Sequence, residues 1–389
     1  MSSLSSIHPF PYYYEMQKER PVFFDPDYAL NWGHKGVWHV FRYEDVVRVL
    51  KDYETFTSEG APKVEESPLS IGISQTDPPR HTSLRKIVTK AFVPRVINKM
   101  EPWIRQVSEE LLDKVLDQGE MEFVDDFAIP IPVRVITRMM GVPANDVKQV
   151  NEWANLIMLN PDEVEGGPEG FFRAQQEMGE FFKGLIEERK QNLKDDLISD
   201  LIRAEVDGEK LGDEDLLSFC MVLLIAGNET TTNLLGNTIY TLTEHPEIQD
   251  HLLEHPEDIP KVVEESLRYR SPVQSLFRVA TKDVEIAGQK IKQGEYVVAW
   301  LGSANHDPSV FPNPEKFDIE RDNSSKVSFG HGIHYCVGAP LATLEANVAL
   351  QVIFSKIKQI RIKPGVKVER FPSTMMYGLK KLPITFQLQ

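Results

Sequence analysis

Phe329-Gly330-His331-Gly332-Ile333-His334-Tyr335-Cys336-Val337-Gly338 sets one cysteine in a glycine-rich loop, and Gly338-Ala339-Pro340-Leu341 then reads as a helix start. Three glycines around one thiol let the backbone fold tightly and approach a bulky, flat partner, which packing alone does not require. A sulfur at a helix N-terminus faces the positive end of the dipole and the first N–H donors. That environment lowers its pKa and preserves the thiolate at neutral pH. Such a thiolate is a nucleophile or a metal ligand. A structural cysteine in a tight turn is the plainer alternative, since free cysteines are among the most often buried residues.

The pattern Phe-x-x-Gly-x-[Arg/His]-x-Cys-x-Gly resembles the haem-thiolate loop of the cytochrome P450 family, and Phe329, Gly332, His334, Cys336 and Gly338 fill every specified position. The resemblance implies a mainly α fold with a minor β region and a long central helix over the haem. It also implies haem b (iron protoporphyrin IX) bound through Cys336. A single haem domain over residues 1–389, with no fused reductase, is the expected organisation.

Composition agrees with a soluble globular protein: 41% of the residues are apolar and 26% charged, enough for a large core. Only Cys220 and Cys336 occur, so no disulfide framework is expected, which fits a reducing cytoplasm. No secretory signal or membrane anchor is expected either. The longest apolar run, Phe219 to Gly227, falls far short of the roughly 20 residues a span needs. A net charge of −16 argues against nucleic acid as a partner. Arg80, Arg85, Lys86, Lys90 and Arg95 nevertheless cluster, either as a solvated helix face or as a docking patch for an acidic electron-transfer protein.

Helical periodicity dominates, with amphipathic stretches at Tyr43 to Asp52 and Val96 to Leu116. Strand signals are confined to Val37 to Phe41, Val284 to Ile286, Lys290-Ile291 and Tyr296 to Trp300. One helix is predicted from Asp213 to Glu244, opened by Asp213, Glu214 and Asp215 and closed by His245-Pro246. At 1.5 Å per residue it spans roughly 48 Å. Its apolar first half predicts burial on all sides. Asn228-Glu229-Thr230-Thr231-Thr232-Asn233 then puts six polar residues in succession at mid-helix. Unpaired, they are costly in a core. Either they form a self-satisfied network, with threonine hydroxyls bonded one turn back, or they serve chemistry. Ala226-Gly227-Asn228-Glu229-Thr230-Thr231 resembles the family's oxygen-activation motif, which assigns Glu229 and Thr230 to proton handling and gives Ala226 room beside the haem.

Glu265 and Arg268 are three apart on one helix face, within pairing distance. They match the family's structural Glu-x-x-Arg, with Arg321 of Phe317-Asp318-Ile319-Glu320-Arg321 as its third member, and the resemblance gives all three to folding and haem retention. His81 and Arg85, four apart after Pro78-Pro79, can reach one anion. The family pattern makes them propionate ligands together with Arg278 and His334. Pocket residues carried over from the family are Leu69, Ile71 and Ile73; Val222, Ile225 and Ala226; Gln274, Leu276 and Phe277; and Met375 and Met376. Trp153 to Phe182, interrupted by Asn160-Pro161 and Gly166-Gly167-Pro168, resembles the lid that admits substrate.

A largely apolar lining suits a lipophilic steroid, terpenoid or fatty acid. The resemblance implies hydroxylation by dioxygen, with electrons from a separate ferredoxin or flavodoxin and its NAD(P)H-dependent reductase. A peroxide-driven hydroxylase of the same fold is one alternative, and a non-catalytic haem sensor or carrier is another. Neither needs the Glu229-Thr230 pair. A thiol hydrolase using Cys336 requires a positioned His base and leaves Glu265, Arg268 and Arg321 unexplained.

Overall fold

Three carboxylates favour the N-terminal dipole of the helix over Asp213–Glu244, and Pro246, which cannot continue it, opens the next helix. The computed structural model describes residues 4, 6–30, 33–60, 69, 72–158, 164 and 166–389. The helices are α1 (Phe10–Glu19), α2 (Tyr43–Lys51), α3 (Arg80–Ala91), α4 (Pro94–Asn98), α5 (Glu101–Asp113), α6 (Pro130–Met140), α7 (Val147–Met158), α8 (Gly167–Gln191), α9 (Leu197–Arg203), α10 (Asp213–Glu244), α11 (Pro246–Glu254), α12 (Ile259–Tyr269), α13 (Leu301–Ala304) and α14 (Ala339–Lys356). The strands are β1 (Val22–Ala29), β2 (Lys35–Val40), β3 (Phe56–Thr57), β4 (Glu120–Glu122), β5 (Ser275–Ala280), β6 (Val284–Ile286), β7 (Gln289–Ile291), β8 (Tyr296–Trp300), β9 (Ile357–Ile362) and β10 (Pro383–Leu388). The fold is mainly α with a minor β region.

The chain divides into two compact units, and α10 is continuous through the division at Glu229/Thr230. The first unit comprises Met1–Thr57, Glu101–Ile131 and Thr230–Gln389. It holds all of these strands: a five-stranded sheet in the order β1-β2-β8-β5-β3, a three-stranded sheet β4-β10-β9, and the hairpin β6-β7. β5 pairs antiparallel with β8, whereas β2 and β8 run parallel. One face of the large sheet packs Val46, Val49 and Leu50 of α2 with Phe56, Val297 and Leu301. Its other face buries Tyr13, Phe41 and Trp300. The second unit, Ser58–Met100 with Pro132–Glu229, is helical among its described residues.

Two expectations need correction. Val96 to Leu116 is not one helix: α4 ends at Asn98 and α5 begins at Glu101. Pro102 lacks an N–H and fits only a first turn, so it starts a new helix. Nor is the first half of α10 buried all round. Val222, Ile225 and Glu229 are half-buried and Ala226 is exposed.

Candidate functional site

In the first unit, the loop before α14 is shaped by backbone constraints that its glycines alone satisfy. Gly330 and Gly332 both take positive φ, 75° in each case. A side chain on Gly332 would also come within 3.1 Å of the Leu50 carbonyl oxygen and the Lys51 Cα at the end of α2. The Cys336 N–H donates to the Phe329 carbonyl at 2.9 Å, closing the loop. Cys336 is exposed and lies two residues before Gly338, the N-cap of α14, so its sulfur sits at the positive end of an 18-residue helix. A Cβ on Gly338 would stand 3.9 Å from Sγ, in ordinary contact, so the sulfur lies beside the N-cap of α14. The other thiol differs in kind. Cys220 is buried in α10, and burial pushes its pKa up to about 12. One presented thiol, a loop without side-chain bulk and a helix dipole behind it form a donor set that fits a haem iron.

Behind this loop lies a closed ion-pair cluster. Arg268 Nη2 donates to Glu265 Oε1 at 2.7 Å and Nε to Oε2 at 2.8 Å, with both residues wholly buried. Arg321 Nε reaches the same Glu265 Oε1 at 3.3 Å. Arg268 also donates to the carbonyls of Asn305, Pro314 and Lys316. Asn305 Oδ1 in turn accepts the Val327 N–H at 2.8 Å, two residues before Phe329. The cluster therefore reaches the cysteine loop through Asn305. Sequence reading missed Asn305, because an asparagine in an irregular segment carries no signal of the partners it will meet.

β5 runs beside the loop. Leu276 Cδ1 is 3.9 Å from where a Gly330 Cβ would stand, and Arg278, two residues on, shares its strand face. Arg278 is buried, and its Nη1 donates to the Phe277 carbonyl at 2.8 Å. Phe277 faces the opposite side, packing with the Tyr13, Phe41 and Trp300 cluster. Leu276 and Phe277 thus cannot line one wall together. Gln274 is likewise engaged elsewhere: its Oε1 accepts the Tyr13 hydroxyl at 2.5 Å and its Nε2 donates to the Ser271 carbonyl at 2.6 Å. Its backbone N–H donates to Met375 O at 2.7 Å, which fixes the turn carrying Met375 and Met376 against the start of β5. Met375 is half-buried and Met376 buried, and His334 is half-buried in the cysteine loop.

The second unit contains α3 and α10 up to Glu229. His81 is buried and Arg85, one turn later, is half-buried. A Cβ on Gly72 would meet Ser218 Oγ at 2.9 Å and Val222 Cγ2 at 3.3 Å, so the segment before α3 presses closely on α10. Leu69 and Ile73 flank that contact and are half-buried; Ile71 lies outside the described residues. Asn160-Pro161 of the expected lid also lies outside them, whereas Gly167 and Pro168 open α8. Two members of the basic cluster meet carboxylates: Arg80 pairs with Asp215 at 2.5 Å and Lys86 with Asp207 at 3.5 Å. Lys90 donates to the Glu205 carbonyl at 2.5 Å, a neutral acceptor that leaves its charge in place.

Along α10 the six polar residues separate into two sets. Asn228, Thr231, Thr232 and Asn233 are buried, while Glu229 and Thr230 are half-buried. Val222, Ala226, Glu229 and Thr230 lie three and four apart, so the less buried residues form one stripe. Its narrowest side chain is Ala226. Further along the helix, Thr238 back-bonds to Leu234 O and Thr241 to Asn237 O.

Comparison with known proteins agrees with this geometry. The family model described as Cytochrome P450 matches residues 9–140 and 133–388. The cytochrome P450 YjiB of Bacillus subtilis is 41% identical over 384 residues, covering 97% of this chain and 94% of that protein. The erythromycin C-12 hydroxylase of Saccharopolyspora erythraea is 39% identical over 376 residues, 95% of this chain and 92% of its own. Among solved structures, CYP109E1 from Bacillus megaterium in complex with corticosterone superposes with a TM-score of 0.88 at 38% identity, covering 97% of this chain and 98% of that one. No helix among the described residues is long and apolar enough to cross a membrane. A thiol presented at a helix N-terminus, an ion-pair cluster behind it and a match running almost end to end make this chain a member of the cytochrome P450 family, a haem monooxygenase.

Proposed function

We propose that this chain hydroxylates a lipophilic small molecule, of steroid, terpenoid or fatty-acid type, in the cytoplasm. Dioxygen is the oxidant, haem b the cofactor, and electrons come from a separate ferredoxin or flavodoxin with its NAD(P)H-dependent reductase. The single observation that carries this reading is the exposed Cys336 at the N-terminus of α14. When bound, the haem supplies dioxygen binding and oxygen transfer, and a thiolate ligand favours O–O cleavage.

The chain's own residues do the rest. The α14 dipole stabilises negative charge on Cys336 Sγ, holding the sulfur as thiolate. Arg278 and His334 neutralise a propionate in the first unit, and His81 with Arg85 serves the same purpose in the second. Ala226 keeps bulk off the stripe of α10. Thr230 Oγ1 orients a proton toward the oxygen side, and the half-buried Glu229 carboxylate exchanges protons with solvent. Leu69, Ile73, Val222 and Ile225, and in the first unit Leu276, Met375 and Met376, supply apolar lining. Phe277 points to the face opposite Leu276 and the Gln274 amide is bonded to Tyr13 and Ser271, so neither is included in the proposed lining. The corticosterone complex of CYP109E1 supports a steroid as the first compound to try. The Glu229-Thr230 pair disfavours a peroxide-driven enzyme and a carrier.

Replacing Cys336 by His tests the reading. The reduced carbon-monoxide complex is expected to lose its red-shifted Soret band; an unchanged band rejects Cys336 as ligand. Substrate class is read by screening lipophilic compounds for the haem spectral change on water displacement.

A further inference from the structure

We propose that Arg370 is a positioning residue for the turn carrying Met375 and Met376, and that through it the N-terminal segment at Leu4–Ile7 helps to set substrate specificity. Arg370 is 6% exposed, and the four hydrogen bonds of its terminal nitrogens divide evenly between two chain segments. Nη1 donates to Leu4 O at 3.1 Å and Ser6 O at 2.7 Å. Nη2 donates to Met376 O at 2.8 Å and Ser373 O at 3.3 Å. The same cation lies 4.0 Å above the Tyr377 ring, whose hydroxyl donates to Ile7 O at 2.7 Å. Tyr28 adds a third tie, its hydroxyl 2.7 Å from Thr374 Oγ1.

From the opposite side the turn is bound to the core. Gln274 N–H donates to Met375 O and Tyr377 N–H to Pro272 O, each at 2.7 Å, and Asn237 Nδ2 donates to Tyr377 O at 3.0 Å. Met375 and Met376 are thus suspended between the start of β5 and a strap formed by the N-terminal segment. Two methionines are adaptable on their own account, because an unbranched thioether repacks easily. A turn built from them has a defined shape only if its backbone is held. Arg370 holds it with a planar fork that lysine cannot reproduce. The N-terminal segment, distant in sequence, therefore acts on substrate without touching it.

This inference rests on the reading that Met375 and Met376 face substrate, and three holoenzyme variants separate the two. Arg370→Lys keeps the charge and loses the fork; deletion of residues 1–7 removes the strap; Met375→Ala alters the turn itself. Haem content and the carbon-monoxide spectrum are expected to stay as in the parent for all three. Both strap variants should weaken binding of a lipophilic ligand about tenfold, the worth of one or two hydrogen bonds, and shift the product distribution. KM should move more than kcat. Combined, they should give no more than either alone, because both cut one linkage. A Met375→Ala effect on binding and products alongside wild-type behaviour of the strap variants overturns the positioning role. No effect of Met375→Ala overturns the pocket reading itself, and this inference with it. Should Arg370→Lys fail to yield holoprotein, the deletion decides alone.

Discussion

The two halves of α10 depart in different ways from what their compositions predict: the first buries Leu216, Leu217, Phe219, Met221 and Leu224 but not a stripe beside them. Residues before Asn228 are overwhelmingly apolar, yet Val222, Ile225 and Ala226 remain partly or fully exposed. Residues from Thr231 to Leu242 include two asparagines and four threonines, yet every one of them is buried. Hydrogen bonding accounts for the second half. Asn237 Nδ2 donates to the Arg270 and Tyr377 carbonyls, Thr241 back-bonds to Asn237 O and accepts from Arg270 Nη1, and Arg270 Nη2 ends on Glu244. Polar groups go inside when their partners are supplied. In the first half, apolar Val222, Ile225 and Ala226 stay partly or fully exposed. Hydropathy alone therefore foretells burial in neither half.

The largest expected effect comes from breaking closed polar packing in its fully charged form. Arg268→Ala leaves Glu265 buried without a counter-charge and frees the carbonyls of Asn305, Pro314 and Lys316. Losing one partner of such a pair costs about 3–5 kcal/mol. The variant should not accumulate stable holoprotein. Normal haem content at wild-type yield would show that the cluster is dispensable. Next comes Asn237→Ala in the closed half of α10, which strips the Arg270 and Tyr377 carbonyls of their donor for about 1–3 kcal/mol. Chemical denaturation of the variant reads this directly, as a lower midpoint at unchanged slope.

How much of this was legible in advance depends on the distance over which each feature is determined. The ends of α10 match the sequence expectation because acidic residues and a His-Pro step mark them locally. The cysteine loop was legible for the same reason, since its glycines and sulfur fall within ten residues. β5 was not, because Ser275-Leu276-Phe277-Arg278-Val279-Ala280 becomes a strand only through pairing with β8, and a buried arginine breaks its pattern. Arg370 was invisible too: its partner Leu4 lies 366 residues away. The bond between Gln274 and Tyr13 was equally invisible, because the two residues lie 261 positions apart.

A substitution on the open stripe sharpens the contrast by separating folding from binding. Ala226→Leu places a good helix former at an exposed position, so stability of the folded chain should change by less than about 0.5 kcal/mol. Haem retention, or carbon-monoxide binding by the reduced protein, should nevertheless fall, because the new side chain occupies space the ligand needs. A matched loss of stability would mean that this face is ordinary core. Wild-type haem content and carbon-monoxide affinity would mean that the stripe faces no ligand.

The smallest structural disturbance tests the chemistry itself. Thr230 is half-buried on the same stripe, so Thr230→Ala removes one hydroxyl and improves helix propensity, leaving the fold intact. On the proposed proton role, its neighbour Glu229 would still exchange protons with solvent, but Thr230 Oγ1 would no longer direct them. Proton delivery then proceeds without its geometry, and reducing equivalents leave as hydrogen peroxide in place of hydroxylated product. NAD(P)H consumption and substrate affinity should stay near their wild-type values while the product formed per NAD(P)H drops. Thr230→Ser, which restores a hydroxyl at that position, should recover most of the coupling. The measurement pairs NAD(P)H consumed with peroxide and product formed for one well-fitting substrate. Wild-type coupling in Thr230→Ala would make this residue a packed member of the helix like Thr231, and the proton role would have to move to another group on the open face.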